Sequence, residues 1–206
     1  MKKIGIELNG VLRNTLPRIA EIYNRNFIES KEEGDDFIYS IVEPLTPNLS
    51  ECFAFRNPEE LYQFLYEDYV LQIFGNCAPV ETNSFVFLNE IYMDYRDKFE
   101  FIILSDEISR SKPATLFFLS KGGLLLEKIF FYSNTTINQM WNEIDLLISA
   151  NPDLLLNHPP NKKVIKFERE YNINIPIDIV IKSIKELSEA IKKVQNGETA
   201  DTKLLH

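Results

Sequence analysis

The chain has 206 residues, 45% of them hydrophobic and 12% aromatic, and carries a formal charge of −9. So much apolar material supplies a full core and excludes a disordered chain. The acidic balance excludes a nucleic-acid groove, which needs clustered Lys and Arg against phosphates. The basic patches are short, "NKKVIK" (161–166) and "IKKV" (191–194), and read as solvated element ends.

The first element is "KIGIEL" (3–8), where Ile4, Ile6 and Leu8 alternate as in a strand. Gly10 permits a sharp exit, and "VLRNTLPRIAEIYNRNF" (11–27) continues with helical spacing. Residues 31–80 break the rhythm, being rich in Pro, Glu and aromatics. Within them "NPEELYQFLYEDYVLQIFG" (57–75) predicts a helix with Asn57 as N-cap, Pro58 at the first helical position and Gly75 at the end. Strands follow at "FEFIILS" (99–105), "EKIFFYS" (127–133), "DLLIS" (145–149) and "KVIKF" (163–167). Helices are predicted at 84–97, at 113–121 (stopped by Gly122-Gly123), at 136–143 and at 178–194.

Strands alternating with helices predict an α/β fold with a doubly wound, parallel, five-stranded sheet, its central strands covered on both faces. The expected division is a core of 1–30 and 81–195, a small, mainly helical cap of 31–80 over the carboxyl edge of the sheet, and a flexible tail of 196–206. Cys52 and Cys77 lack metal-binding or redox spacing, which fits a reducing compartment. No apolar signal core opens the chain and no apolar run reaches membrane length, so a cytoplasmic location without membrane contact is expected.

In an open parallel sheet, ligands sit beyond the carboxyl ends of the strands, so the residues just after each strand matter most. There the sequence resembles the haloacid dehalogenase (HAD) superfamily, in its 5′-nucleotidase-like phosphatase branch. "IGIELNGVLRNT" is similar to that superfamily's first motif, Asp-x-Asp-Gly-Val-Leu-x-Asp-Thr, matching at Gly10, Val11, Leu12 and Thr15. "FIILS" resembles the second motif and "LEKIFFYSNTT" the segment of the third. "IDLLISANPDLL" resembles the fourth, and "NKKVIKFEREYN" continues to a Tyr-Asn pair as in such relatives.

The resemblance implies an Asp nucleophile, a second Asp as general acid, a Lys, and Mg²⁺ held by first- and fourth-motif acids. Two anions approach each other only with a cation between them. Here Glu7 and Asn9 stand at the two Asp positions, Thr135 at the Lys, and Ser149 and Ala150 at the fourth-motif acids. Glu7 carries its carboxylate one methylene farther out, and Asn9 cannot supply a proton. Only Ser105, the phosphate-binding hydroxyl of the second motif, is intact.

Asp106 and Glu107 could rebuild a cation site with Glu7, although a solvated loop is the plainer reading. Lys112 and Lys121 could replace the missing Lys, but both fit helix ends. Asp153 suits the first turn of a helix and His158 a loop. Trp141, Phe117, Phe118, Phe130 and Phe131 read as core. The aromatics of the insertion (Phe53, Phe55, Tyr62, Phe64, Tyr66, Tyr69) exceed what one short helix buries. They are either cap core or a partner-facing patch with Tyr62 and Tyr66 as anchors.

The expected function is therefore a catalytically degenerate HAD-like protein, a pseudophosphatase without cofactor, retained for binding a protein partner or a second copy. If its gene lies among phage structural genes, a virion component is expected. One alternative is an active 5′-nucleotidase or phosphomonoester phosphatase with a rearranged Mg²⁺ site. Another is a nucleotide or phosphate sensor that does not hydrolyse its ligand.

Overall fold

The structure is a computed structural model and describes residues 1–30, 36–43, 45–108 and 110–196. Its centre is a six-stranded parallel sheet in the order β3-β2-β1-β4-β5-β6. The strands are β1 (Lys2–Glu7), β2 (Phe99–Ser105), β3 (Ile129–Phe131), β4 (Leu146–Ser149), β5 (Lys163–Phe167) and β6 (Val180–Ile181). The helices are α1 (Thr15–Tyr23), α2 (Leu49–Cys52), α3 (Pro58–Gln63), α4 (Ser84–Tyr95), α5 (Lys112–Lys121), α6 (Ile137–Glu143), α7 (Pro152–Leu156) and α8 (Leu187–Asn196).

The period of two in each strand divides the core between the two faces of the sheet. Phe101 and Ile103 of β2 join Ile4 and Ile6 of β1 in a core closed by Leu88 of α4, Phe118 of α5 and Ile191 of α8. Ile102 and Leu104 point the other way, to Met140 and Trp141 of α6 and Leu154 of α7. Gly5 lies where a Cβ would meet Leu104 Cδ1 at 2.6 Å and Ile144 Cγ2 at 2.9 Å, so a side chain there would push these packed side chains aside.

Five predicted strands are present, and β6 is an addition. It lies in "IDIVIK", where a helix over 178–194 was expected. Ile179, Val180 and Ile181 are β-branched and favour the extended chain. The Ser183 hydroxyl then accepts from Lys185 N (3.3 Å) and opens a 3₁₀ turn, Ile184–Glu186, that leads into α8. The first helix also begins later than its spacing suggests, because Val11, Leu12 and Arg13 form a turn whose Leu12 and Arg13 amides both return to Leu8 O. Of the tail expected at 196–206, Asn196 closes α8 and the rest lies outside the described residues.

Between α1 and α4 the predicted long helix is broken. Asn57 caps α3 by accepting from Glu60 N (2.8 Å), as predicted, but π-helical turns at Phe64–Asp68 and Leu71–Gly75 follow, separated at Tyr69. Residues 31–35 and 44 of this stretch are outside the described set. Phe53 and Phe64 are buried with Tyr23, and Phe27, Phe55 and Tyr69 pack against them. The end of α1 thus provides the surface that one short helix could not. Phe117, expected in the core, is 48% exposed on α5. Cys52 and Cys77 are buried and free. Among the described residues, no helix is long and apolar enough to cross a membrane.

Candidate functional site

β1 lies between β2 and β4, with Glu7 opposite Leu104 and Ile6 opposite Ile148. Glu7, Ser105 and Ser149 therefore meet at the carboxyl edge of the sheet. Glu7 is buried, and its longer side chain reaches the exit of β4. There its Oε2 accepts from Ser149 Oγ and from the amides of Ala150 and Asn151, both at 3.2 Å. Burial pushes the carboxyl up to about 8 and nearby Asp106 adds to this, while the three donors counter only part. At neutral pH the Glu7 carboxyl holds its proton.

Asn9 is committed in the same way. Its Oδ1 accepts from Arg13 Nε (3.1 Å), Arg13 Nη2 (2.7 Å) and Thr15 Oγ1 (2.6 Å), and its Nδ2 donates to Asp106 Oδ1 (2.9 Å). Arg13 is fully buried and ion-pairs with buried Glu107. Its Nη1 donates to Phe74 O (3.0 Å) and Thr115 Oγ1 (2.9 Å), and its guanidinium lies 5.2 Å from the Phe74 ring centre. Burial lowers the Arg13 pKa to about 10, which leaves it charged at neutral pH. Glu107 in turn accepts from Ser105 Oγ (2.7 Å) and from Thr115 Oγ1.

This pair was not anticipated. Glu107 was expected in a solvated loop or a cation site and is instead the counter-ion of Arg13. A charged residue inside the apolar turn "GVLRN", together with an acid two residues past β2, was the available signal. Ser105, the one hydroxyl that matched a phosphate-binding motif, is spent on Glu107.

Ala150 lends only its backbone to the site. Thr135 is exposed beyond β3, 2.9 Å from Ser133 Oγ through its hydroxyl, and does not line the cleft described below. Asp106 is exposed at the edge of the sheet. Lys112 has its ammonium 4.9 Å from the Phe131 ring, and Lys121 is exposed in the last turn of α5. Asp153 is exposed in the first turn of α7, and His158 Nδ1–H donates to Leu155 O (2.7 Å). Lys166, expected at a solvated strand end, is buried. Its Nζ donates to the carbonyls of Asn172 (3.3 Å), Ile173 (3.2 Å) and Ile175 (2.9 Å), which replace water around the charge.

A cleft of about 560 Å³ opens between this edge and the stretch connecting α1 to α4. Glu7, Asn9 and Asp106 lie at its polar end, Leu45, Leu49, Leu65 and Phe74 form an apolar wall, and Arg169 to Tyr171 border it after β5. Tyr66 lines the cleft with its ring stacked on Phe74, while Tyr62 faces outward at 41% exposure.

No family model matches the sequence, and no curated protein matches it. Solved structures do. A haloacid dehalogenase-like hydrolase from Burkholderia xenovorans LB400 superposes with a TM-score of 0.51 at 11% identity, over 91% of this chain and 94% of its own. YfnB of Bacillus subtilis, named as a HAD-hydrolase and bound to magnesium, gives 0.58 at 12% identity, over 93% and 98%. The Mg²⁺ that such a fold implies does not suit the residues present here. Glu7 is buried and turned to β4, the Asn9 oxygen already takes three donors, and Ser149 donates to Glu7. Among the described residues no group of three or more His, Cys, Asp or Glu could hold a metal ion. The chain carries the haloacid dehalogenase-like fold.

Proposed function

We propose that this protein is a catalytically silent member of the HAD-like frame that acts by binding. The observation that supports this most is the state of Glu7. It stands where the frame places a nucleophile, yet it is buried, protonated at neutral pH and held by Ser149, Ala150 and Asn151. A protonated carboxyl does not attack phosphorus, and Asn9 has no proton to give. Arg13 could have neutralised a phosphate, but its charge is spent on Glu107. Losing one electrostatic contributor typically costs about 10²–10³ in rate, and several are lost together here.

Under this reading the partner is a protein or a second copy of the chain, and a particle component if the gene is phage-borne. A small ligand is a second reading, favoured by the open cleft beside a committed site. Steady-state assay of a generic phosphomonoester and a deoxynucleotide with Mg²⁺ tests the silence. We expect turnover below about 0.1 s⁻¹, against about 1–10³ s⁻¹ for ordinary enzymes. Faster, metal-dependent release of phosphate would restore the phosphatase reading.

A further inference from the structure

We infer that the cleft takes a small amphipathic cation, an ammonium head on an apolar body, in place of a phosphorylated ligand. The inference rests on the cleft belonging to a catalytically silent binding protein. The volume of about 560 Å³ falls within the range of about 300–1,000 Å³ usual for small-ligand sites. Leu45, Leu49, Leu65 and Phe74 give the body an apolar wall, and the Tyr66 ring adds a flat face.

Charge at the polar end decides the head group. Among the described residues, three of the four nearby cations have their charge engaged. Arg13 is paired with Glu107, Lys182 with Glu168 (2.8 Å), and Lys166 is turned to backbone carbonyls. Arg169, at the rim, donates to Asn14 Oδ1 (2.9 Å). Asp106, in contrast, makes no ion pair among the described residues and receives a hydrogen bond only from the neutral Asn9 amide. A phosphate at the polar end would face the Asp106 carboxylate, with Arg169 at the rim as the one nearby cation among the described residues whose charge is unpaired, whereas an ammonium would find its counter-charge in Asp106 directly.

Three probes with one apolar body and different heads test this on the full chain by calorimetric titration: phenethylamine, phenethyl alcohol and phenyl phosphate. We expect the amine to bind at least about tenfold tighter than the alcohol, with the advantage shrinking as salt is added, and the phosphate ester to bind more weakly than either. Asp106→Asn should abolish the preference for the amine and leave alcohol binding intact. Phenyl phosphate binding best, equal binding of amine and alcohol, an unchanged preference in Asp106→Asn, or no binding by any probe would overturn the inference. Release of inorganic phosphate from phenyl phosphate in the same samples reads the catalytic proposal separately.

Discussion

Arg13 and Glu107 carry opposite charges out of water together, and each is satisfied only by the other and its hydrogen bonds. Breaking such a pair from one side typically costs about 3–5 kcal/mol, because a buried charge is left unmatched. Glu107→Gln should lower stability by that amount in urea unfolding. A cycle with Arg13→Met should show a coupling of about 1–3 kcal/mol. Independent effects of the two substitutions would mean that the pair is not formed. Glu7 gives a prediction in pH. Its folded value of about 8 lies above the ordinary carboxylate range, so between about 4.5 and 8 the folded state binds the extra proton. Its contribution is fully present at the acid end and is lost as pH rises through 8. Glu7→Gln keeps an acceptor for Ser149, Ala150 and Asn151 and does not titrate. The variant should therefore show a shallower fall in stability from pH 5 to pH 8 than the parent, read from thermal midpoints; parallel profiles would contradict the raised value.

Among the elements, the turn after β1 has the tightest local requirement. Gly10 has φ +79°, and a Cβ there would meet the Tyr171 hydroxyl at 2.5 Å. Gly10→Ala should therefore cost about 1–3 kcal/mol, more than strain at a free turn, because the loop after β5 must also move. The stretch between α1 and α4 holds a buried phenylalanine and a surface tyrosine with different roles. Phe64→Ala, in the buried cluster with Tyr23, should cost about 3–5 kcal/mol, whereas Tyr62→Ala at the surface should stay within about 0.5 kcal/mol. The strand β1 was legible from its alternation and β2, β4 and β5 because each is an apolar run of ordinary length, and order along the chain then placed Glu7, Asn9, Ser105 and Ser149 at one edge. β6 was not, since two residues carry no period and their β-branched side chains also fit a helical face. The π-helical turns were hidden because their local spacing is still helical. Arg13 with Glu107 was hidden for a different reason: the partners lie on separate elements, and taken singly each reads as a surface charge.

For the whole molecule, the proposed reading is that the frame and the chemistry have separated. The sheet brings the ends of β1, β2 and β4 together and a cleft opens above them, and Glu7, Asn9, Ser105 and Ser149 at that edge each have a partner inside the chain. Glu7 answers to β4, Asn9 to Arg13 and Thr15, and Ser105 to Glu107, so each has its partner within the protein. Such a network is stabilised by its members satisfying one another, and on the proposed reading it leaves little to stabilise a transferring phosphoryl group. The ionisation of Glu7 tests this most directly, followed by carbon-13 resonance of its side-chain carboxyl across pH, with and without Mg²⁺. The expected result is a carboxyl still protonated at pH 7, titrating near pH 8 and unmoved by the metal. A carboxylate already ionised at pH 7, or one whose signal shifts on adding Mg²⁺, would contradict it.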